Sequence, residues 1–210
     1  MEPDDAAAPA LPYAPADELR PARLTRTAVT DVALVATMAA FIAVCAQGFV
    51  TLPGMAVPIT LQTFGVMLAG VLLGARRGAL AVLLYLAVGL AGLPVFAEGT
   101  GGLAVLGKAS LGYLLAFPLA AGLAGFLVTR ARRLPARWLP FAVFGAAMAG
   151  SLVFTHPIGI AVMGSRLAMS AGEAISTGAV FLPGDVIKNA LVAIVASAVF
   201  RAYPDMLERR

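Results

Sequence analysis

An acid, a base and an amide stand together in the stretch Phe181-Leu182-Pro183-Gly184-Asp185-Val186-Ile187-Lys188-Asn189. Asp185 and Lys188 are three residues apart, so on a helix they share a face and partly neutralise each other, with Asn189 one position further round. Such a trio both accepts and donates hydrogen bonds, which suits recognition of a polar small molecule. The plainer reading is that Asp185 caps a helix start and Lys188 snorkels toward lipid headgroups. Both remain open on spacing alone. What makes the trio informative is its apolar setting, because an ionisable group inside a membrane costs about 2.5–3.5 kcal/mol on insertion scales.

A second cation, Lys108, follows a loop of small residues and precedes Ala109-Ser110-Leu111-Gly112-Tyr113. It either meets an anionic ligand group or marks a helix boundary with Glu98 as its partner. Thr60, Gln62 and Thr63 form an uncharged polar patch that serves a ligand or neighbouring helices equally well. No residues suggest catalysis or a metal. Ser151 and His156 are five apart, an offset that points them to different faces of an α-helix. His156 has no cysteine or carboxylate cluster near it in sequence. The single cysteine, Cys45, cannot form an intramolecular disulfide and reads as a small core residue.

These residues must be positioned by elements that cross a bilayer. Of 210 residues, 60% are hydrophobic and 12% charged, and the mean hydropathy is +0.92. Soluble domains carry about twice that charge to maintain a hydrated shell. No Asp, Glu, Lys or Arg lies between Asp31 and Arg76, from Ala109 to Thr129 or from Trp138 to Ser165. Each stretch holds at least one span of roughly 20 residues. We expect an all-α integral membrane protein with six transmembrane helices near 28–50, 60–74, 79–92, 109–129, 138–162 and 179–201. Residues 1–27 read as a disordered cytoplasmic tail, 28–203 as the membrane domain and 204–210 as a short cytoplasmic tail. Spans two and three are short. The Gly/Pro segments at 51–58 and 92–107 are therefore expected to fold back and line a cavity, since irregular backbone at membrane depth needs protein or a cavity beside it.

Charge sets the direction. With both termini cytoplasmic, the inner side holds Arg20, Arg23, Arg26, Arg76, Arg77, Arg130, Arg132, Arg133, Arg137, Arg201, Arg209 and Arg210. The outer side holds Lys108 and Arg166, with Lys188 near or inside the last span. An odd number of spans would break this pattern. It accounts for the +4 net charge without a nucleic-acid partner. Six spans leave no room for a nucleotide-binding domain, and no G-x-x-x-x-G-K-[ST] loop occurs, so any ATP-driven step requires another subunit.

Four segments in order carry a family resemblance. They are Val57-Pro58-Ile59-Thr60-Leu61-Gln62-Thr63-Phe64 with Leu68-Ala69-Gly70-Val71-Leu72-Leu73-Gly74; Gly92-Leu93-Pro94-Val95-Phe96; Gly112-Tyr113-Leu114-Leu115-Ala116-Phe117-Pro118; and Pro183-Gly184-Asp185-Val186-Ile187-Lys188. Over residues 28–201 the chain resembles the BioY family, the biotin-specific S-components of energy-coupling factor (ECF) transporters. The resemblance implies a six-helix bundle in a prokaryotic plasma membrane that captures biotin from outside, with outer loops folded over the pocket. It implies no cofactor and no reaction. Asp185 and Lys188 match the family's Asp-x-x-Lys motif, and Gln62, Thr60, Phe96 and Tyr113 become implied lining residues. For biotin, Asp185 accepts from ureido N–H groups, Asn189 or Gln62 donates to the ureido carbonyl, and Lys108 or Lys188 meets the carboxylate. Implied partners are biotin, the lipid bilayer and an ECF coupling subunit with its ATPases, with homo-oligomers as a further option. Either small-residue pair on the first helix, Ala36/Ala40 or Ala39/Ala43, fits the coupling surface. Competing readings are another vitamin on the same scaffold and a structural subunit with no ligand. One departure is local: Gly107-Lys108-Ala109-Ser110-Leu111-Gly112-Tyr113 stands where many relatives read Gly-Pro-Thr-Gly-Gly-Tyr.

Overall fold

The computed structural model describes residues 27–204 and 206. The tail expected over 1–27 lies outside them but for Thr27, and the C-terminal tail but for Pro204 and Met206. Arg20, Arg23, Arg26, Arg209 and Arg210 are likewise outside.

Helix α1 (Ala28–Gln47) starts where the Thr27 hydroxyl accepts the Thr30 amide at 3.1 Å. It ends three residues before the expected 50, because Phe49–Val50 (β1) pairs antiparallel with Ile59–Thr60 (β2). This short ladder satisfies backbone groups in the irregular segment between α1 and α2. Helices α2 (Gln62–Leu73) and α3 (Ala75–Leu90) are joined through Gly74 alone. Its φ of +83° is a conformation that glycine adopts without steric penalty. At about 1.5 Å per residue the 12 residues of α2 reach roughly 18 Å, well short of a bilayer core. Two 3-10 turns, Ala97–Gly99 and Leu103–Gly107, lead into α4 (Leu111–Ala131).

The expected fifth span is a continuous helical stretch, Ala136–Arg166, that outruns the expected end at 162. It comprises α5 (Leu139–Gly150), a π turn over Ser151–Thr155 and α6 (His156–Arg166). Pro157 explains the π turn: proline has no N–H, and its ring presses on the carbonyl four residues earlier. Widening the helix just before it relieves that conflict. Helix α7 (Ala171–Ala179) is separate, opened by a capping box between Ser170 and Glu173. Helix α8 (Leu182–Ala202) therefore begins at 182 rather than 179.

Among the described residues, four helical stretches are long and apolar enough to cross a membrane: Ala28–Gln47, Leu111–Ala131, Ala136–Arg166 and Leu182–Ala202. Of their apolar windows, 56% of α4 is buried against 17% of α1. Helix α4 is thus the central post and α1 a peripheral one. α4 packs against α2, α3, α5 and α6. That crowding is possible because glycines meet backbone at the crossings. A Cβ on Gly70 would stand 2.8 and 2.9 Å from the carbonyl carbon and Cα of Ala121. One on Gly125 would stand 2.5 Å from the Gly70 carbonyl oxygen.

Of the two small-residue pairs on α1, the fold turns Ala39 inward, with Ala43 packed against the core beside it. Ala39/Ala43 is therefore a packing pair in this chain. Ala36 and Ala40 are exposed on the adjoining face.

Candidate functional site

A cavity of about 320 Å³ opens between the two irregular segments and helices α4, α6 and α8. That falls at the small end of the range of roughly 300–1,000 Å³ typical of ligand pockets. The segment at 51–58 contributes Ala56, Val57 and Pro58, and the segment at 92–107 contributes Phe96, Ala97, Glu98, Thr100 and Val105. Thr60, Gln62, Lys108, Tyr113, Asp185 and Lys188 also line it. Of the eight side chains singled out as substrate-binding, only Asn189 does not.

The inner wall is a buried ionic network. Asp185 and Lys188 are both nearly fully buried, one turn apart on α8, with Lys188 Nζ 2.6 Å from Asp185 Oδ1. The ammonium also donates to Thr63 Oγ1 at 2.8 Å and to the Thr60 carbonyl at 3.2 Å. All three of its protons thus have acceptors. The Thr63 hydroxyl donates in turn to Asp185 Oδ1 at 3.3 Å. The second carboxylate oxygen, Oδ2, lies 2.9 Å from His156 Nε2. Because a carboxylate only accepts, Nε2 carries the proton and Nδ1 is left as the free position. This arrangement is neither the helix cap nor the snorkelling lysine that spacing allowed. Both charges point inward and are paired, as intramembrane charges must be.

Sequence reasoning separated Ser151 from His156, and the π turn overturns that. Its ring closes through a hydrogen bond from the His156 amide to the Ser151 carbonyl, so residues five apart come to nearly the same face. Both then meet α8. His156 takes Asp185, and Ser151 Oγ accepts from Asn189 Nδ2 at 3.1 Å. Asn189 also reaches Met148 Sδ at 3.1 Å, so its amide holds α8 to α5 rather than facing the cavity. His156 and Thr155 are the site residues that sequence reasoning missed. The signal was there: His156 is the lone histidine in a stretch without charges, and an intramembrane ionisable residue is by default a functional one.

Gln62 and Phe96 are held from behind. Gln62 Nε2 donates to the Tyr85 hydroxyl at 2.9 Å, which donates to the Val95 carbonyl at 3.3 Å. Gln47, at the end of α1, donates to the carbonyls of Val95 and Phe96 at 3.3 and 3.2 Å. The Phe96 ring lies edge-on to Tyr85 at 5.3 Å and over Gly89, where a Cβ would collide with it. Tyr113 packs edge-on against Phe181 at 5.6 Å. At the mouth, Lys108 Nζ is 3.4 Å from both Glu98 Oε2 and Thr100 Oγ1. Contacts this long and this exposed contribute little and leave the lysine available to a stronger anion. Among the described residues there is no group of three or more His, Cys, Asp or Glu side chains able to hold a metal.

The profile of the BioY family matches residues 18–205 of the chain. The biotin transporter BioY of Rhodobacter capsulatus is 38% identical over 193 residues, covering 86% of this chain and 98% of its own length. The biotin transporter BioY of Rhizobium etli is 40% identical over 150 residues, covering 70% and 80%. Among solved structures, the S-component for biotin from an ECF-type ABC transporter superposes with a TM-score of 0.74 at 27% identity, covering 86% of this chain and 95% of that one.

Proposed function

The chain belongs to the BioY family, and from that premise we propose that it takes up biotin by capturing it in the cavity beneath the two irregular segments. It is a multi-pass membrane protein and a transporter, not an enzyme. The observation that carries this reading is a cavity that combines a buried ionic network, apolar side chains and a partly exposed lysine. The inner end holds the Asp185 network and the mouth holds Lys108, with Val57, Val105, Leu114, Phe117 and Phe181 among the lining residues. Biotin combines matching groups: a ureido ring, an apolar thioether and chain, and a carboxylate. With Lys188 engaged by three acceptors, Lys108 is the lysine for the carboxylate, which displaces the weak contact to Glu98.

In the membrane, α1, α2, α3, α4, the α5–α6 stretch and α8 make six crossings with both termini inside. Arg76, Arg77, Arg130, Arg132, Arg133, Arg137 and Arg201 then face the cytoplasm, while Lys108 and Arg166 lie outside. The cavity opens outward in the plasma membrane of a prokaryote. The exposed Ala36/Ala40 face of α1 receives an ECF coupling subunit whose ATPases energise release, or a second copy of the chain.

Titration of the full chain in mild detergent is expected to give a nanomolar-range Kd for biotin, unaffected by excess thiamine or riboflavin. Displacement by either vitamin would assign the pocket to another ligand, and no heat with any of the three would leave a subunit without one. Lys108→Ala is expected to weaken biotin about threefold to tenfold, the scale of a partly exposed ion pair. It should leave biotin methyl ester unaffected, since that ester has no charge to lose.

A further inference from the structure

The turn at the cavity mouth is built on a residue that does not favour its conformation. Phe96 and Thr100 form an isolated antiparallel bridge. The Phe96 amide donates to the Thr100 carbonyl at 3.0 Å, and the Thr100 amide donates to the Ala97 carbonyl at 3.4 Å. Between them Glu98 and Gly99 have φ of +61° and +62°. Positive φ at both central positions of a four-residue turn favours Gly, Asn or Asp, so a glutamate there is strained. Among the described residues, the only other non-glycine with positive φ is Ala168. That residue follows the end of α6, a usual place for such a conformation. Glu98 instead lines the cavity, and backbone strain of this kind clusters at ligand clamps and switch regions.

The Glu98 carboxylate meets Lys108, with Oε2 3.4 Å from Nζ and the two side chains 41% and 38% exposed. We propose that Glu98 is a built-in counter-ion. It occupies Lys108 while the site is empty and competes with the ligand's carboxylate for that lysine. It thereby sets how strongly binding depends on a free carboxylate and how readily the ligand leaves. The proposal rests on the biotin reading and on Lys108 as the carboxylate's partner. It concerns this chain in particular, because Lys108 stands in the stretch 107–113 that departs from many relatives.

Lys108 does not need Glu98 to hold it in place. From the end of α6, Arg166 donates to the carbonyls of Leu106 and Gly107 at 2.9 and 3.2 Å, which fixes the backbone just before the lysine. The Lys108 amide itself donates to the Val105 carbonyl at 3.0 Å. The charge on Glu98 therefore matters more than its grip. In the empty site it stabilises the Lys108 ammonium. Once a carboxylate sits on that ammonium, Glu98 lies beside a second negative charge and repels it. Both effects act against the loaded state, and both vanish for a ligand whose tail is neutral. The Thr100 hydroxyl, 3.4 Å from Lys108 Nζ, is uncharged and serves the lysine in either state. A carrier must surrender its cargo, and most differences in affinity between related complexes lie in the dissociation rate.

The test compares Glu98→Gln with the wild-type full chain in mild detergent at low salt. Glutamine keeps the size and the strained turn and removes only the charge. Biotin affinity is expected to rise about threefold, the scale of a partly exposed charge pair. Dissociation of radiolabelled biotin should slow by a similar factor. Biotin methyl ester should bind the variant and the wild type alike. The gain should shrink at about 1 M salt, where the screening length falls to roughly 3 Å. Glu98→Gly also relieves the turn, so it should melt higher than Glu98→Gln while tightening biotin by the same factor. Equal gains for biotin and its methyl ester would overturn the proposal, because they would trace to the turn rather than to charge. A gain with glycine alone would do the same. So would unchanged or weaker biotin binding by Glu98→Gln, which would make Glu98 a bystander or a support for Lys108. Each of these leaves the biotin reading standing, whereas a wild-type chain that binds no biotin overturns that reading and the proposal with it.

Discussion

Asp185→Ala is expected to weaken biotin binding more than about a hundredfold and to destabilise the ligand-free protein by about 3–5 kcal/mol, the range for breaking a buried ion pair from one side. The reason lies in what the carboxylate holds. Without it the Lys188 ammonium is an uncompensated buried charge, and His156 Nε2 loses its carboxylate partner. Binding and stability therefore fall together. The double substitution Asp185→Leu with Lys188→Met separates them. Replacing both charges with apolar side chains of similar size should restore much of the stability, while binding stays lost because the polar inner wall of the cavity is gone. Thermal melting and biotin titration of the single and double variants check this. Restored binding in the double variant would show that the network does not frame the site.

Gly70→Ala should rank with it as the most damaging change outside the cavity. A single added methyl group would press on the backbone of Ala121, and backbone cannot rotate aside as a side chain can. Overpacking ordinarily destabilises by about 1–3 kcal/mol. With three backbone atoms of Ala121 in the way we expect the upper end, lowering Tm by roughly 6–12 °C at about 2–4 °C per kcal/mol. Gly145→Ala is the matched control in α5, where nothing lies within 4 Å of an added Cβ. Relief of glycine's backbone entropy should leave that variant unchanged or slightly stabilised. Equal melting of the two variants would mean that α2 and α4 tolerate separation at their crossing.

Much of the frame was legible because membrane insertion depends on local composition. The uncharged runs gave the long helices to within a few residues, and the Pro/Gly segments at 51–58 and 92–107 marked the backbone that lines the cavity. Where spacing left a role open, the structure adds the partner of the residue. Asn189 has the right chemistry and spacing for a ligand, yet its amide is taken by Ser151 and Met148 across the α5–α8 contact. Ala39/Ala43 and Ala36/Ala40 have the same spacing, and only the packing of α1 against α2 and α3 decides which pair is left outside.

The opening residues mark the division most clearly. The sequence by itself determined that Asp185 and Lys188 share a helical face in apolar surroundings, because helical spacing and hydropathy are properties of the chain alone. Only the tertiary structure decided what that face meets. The π turn before Pro157 brings His156 to Asp185 across 29 residues of sequence, and Thr60 and Thr63 reach Lys188 from more than a hundred residues away. A buried charge is stable only where such distant groups converge to compensate it. That convergence is a property of packed helices, which no local pattern records.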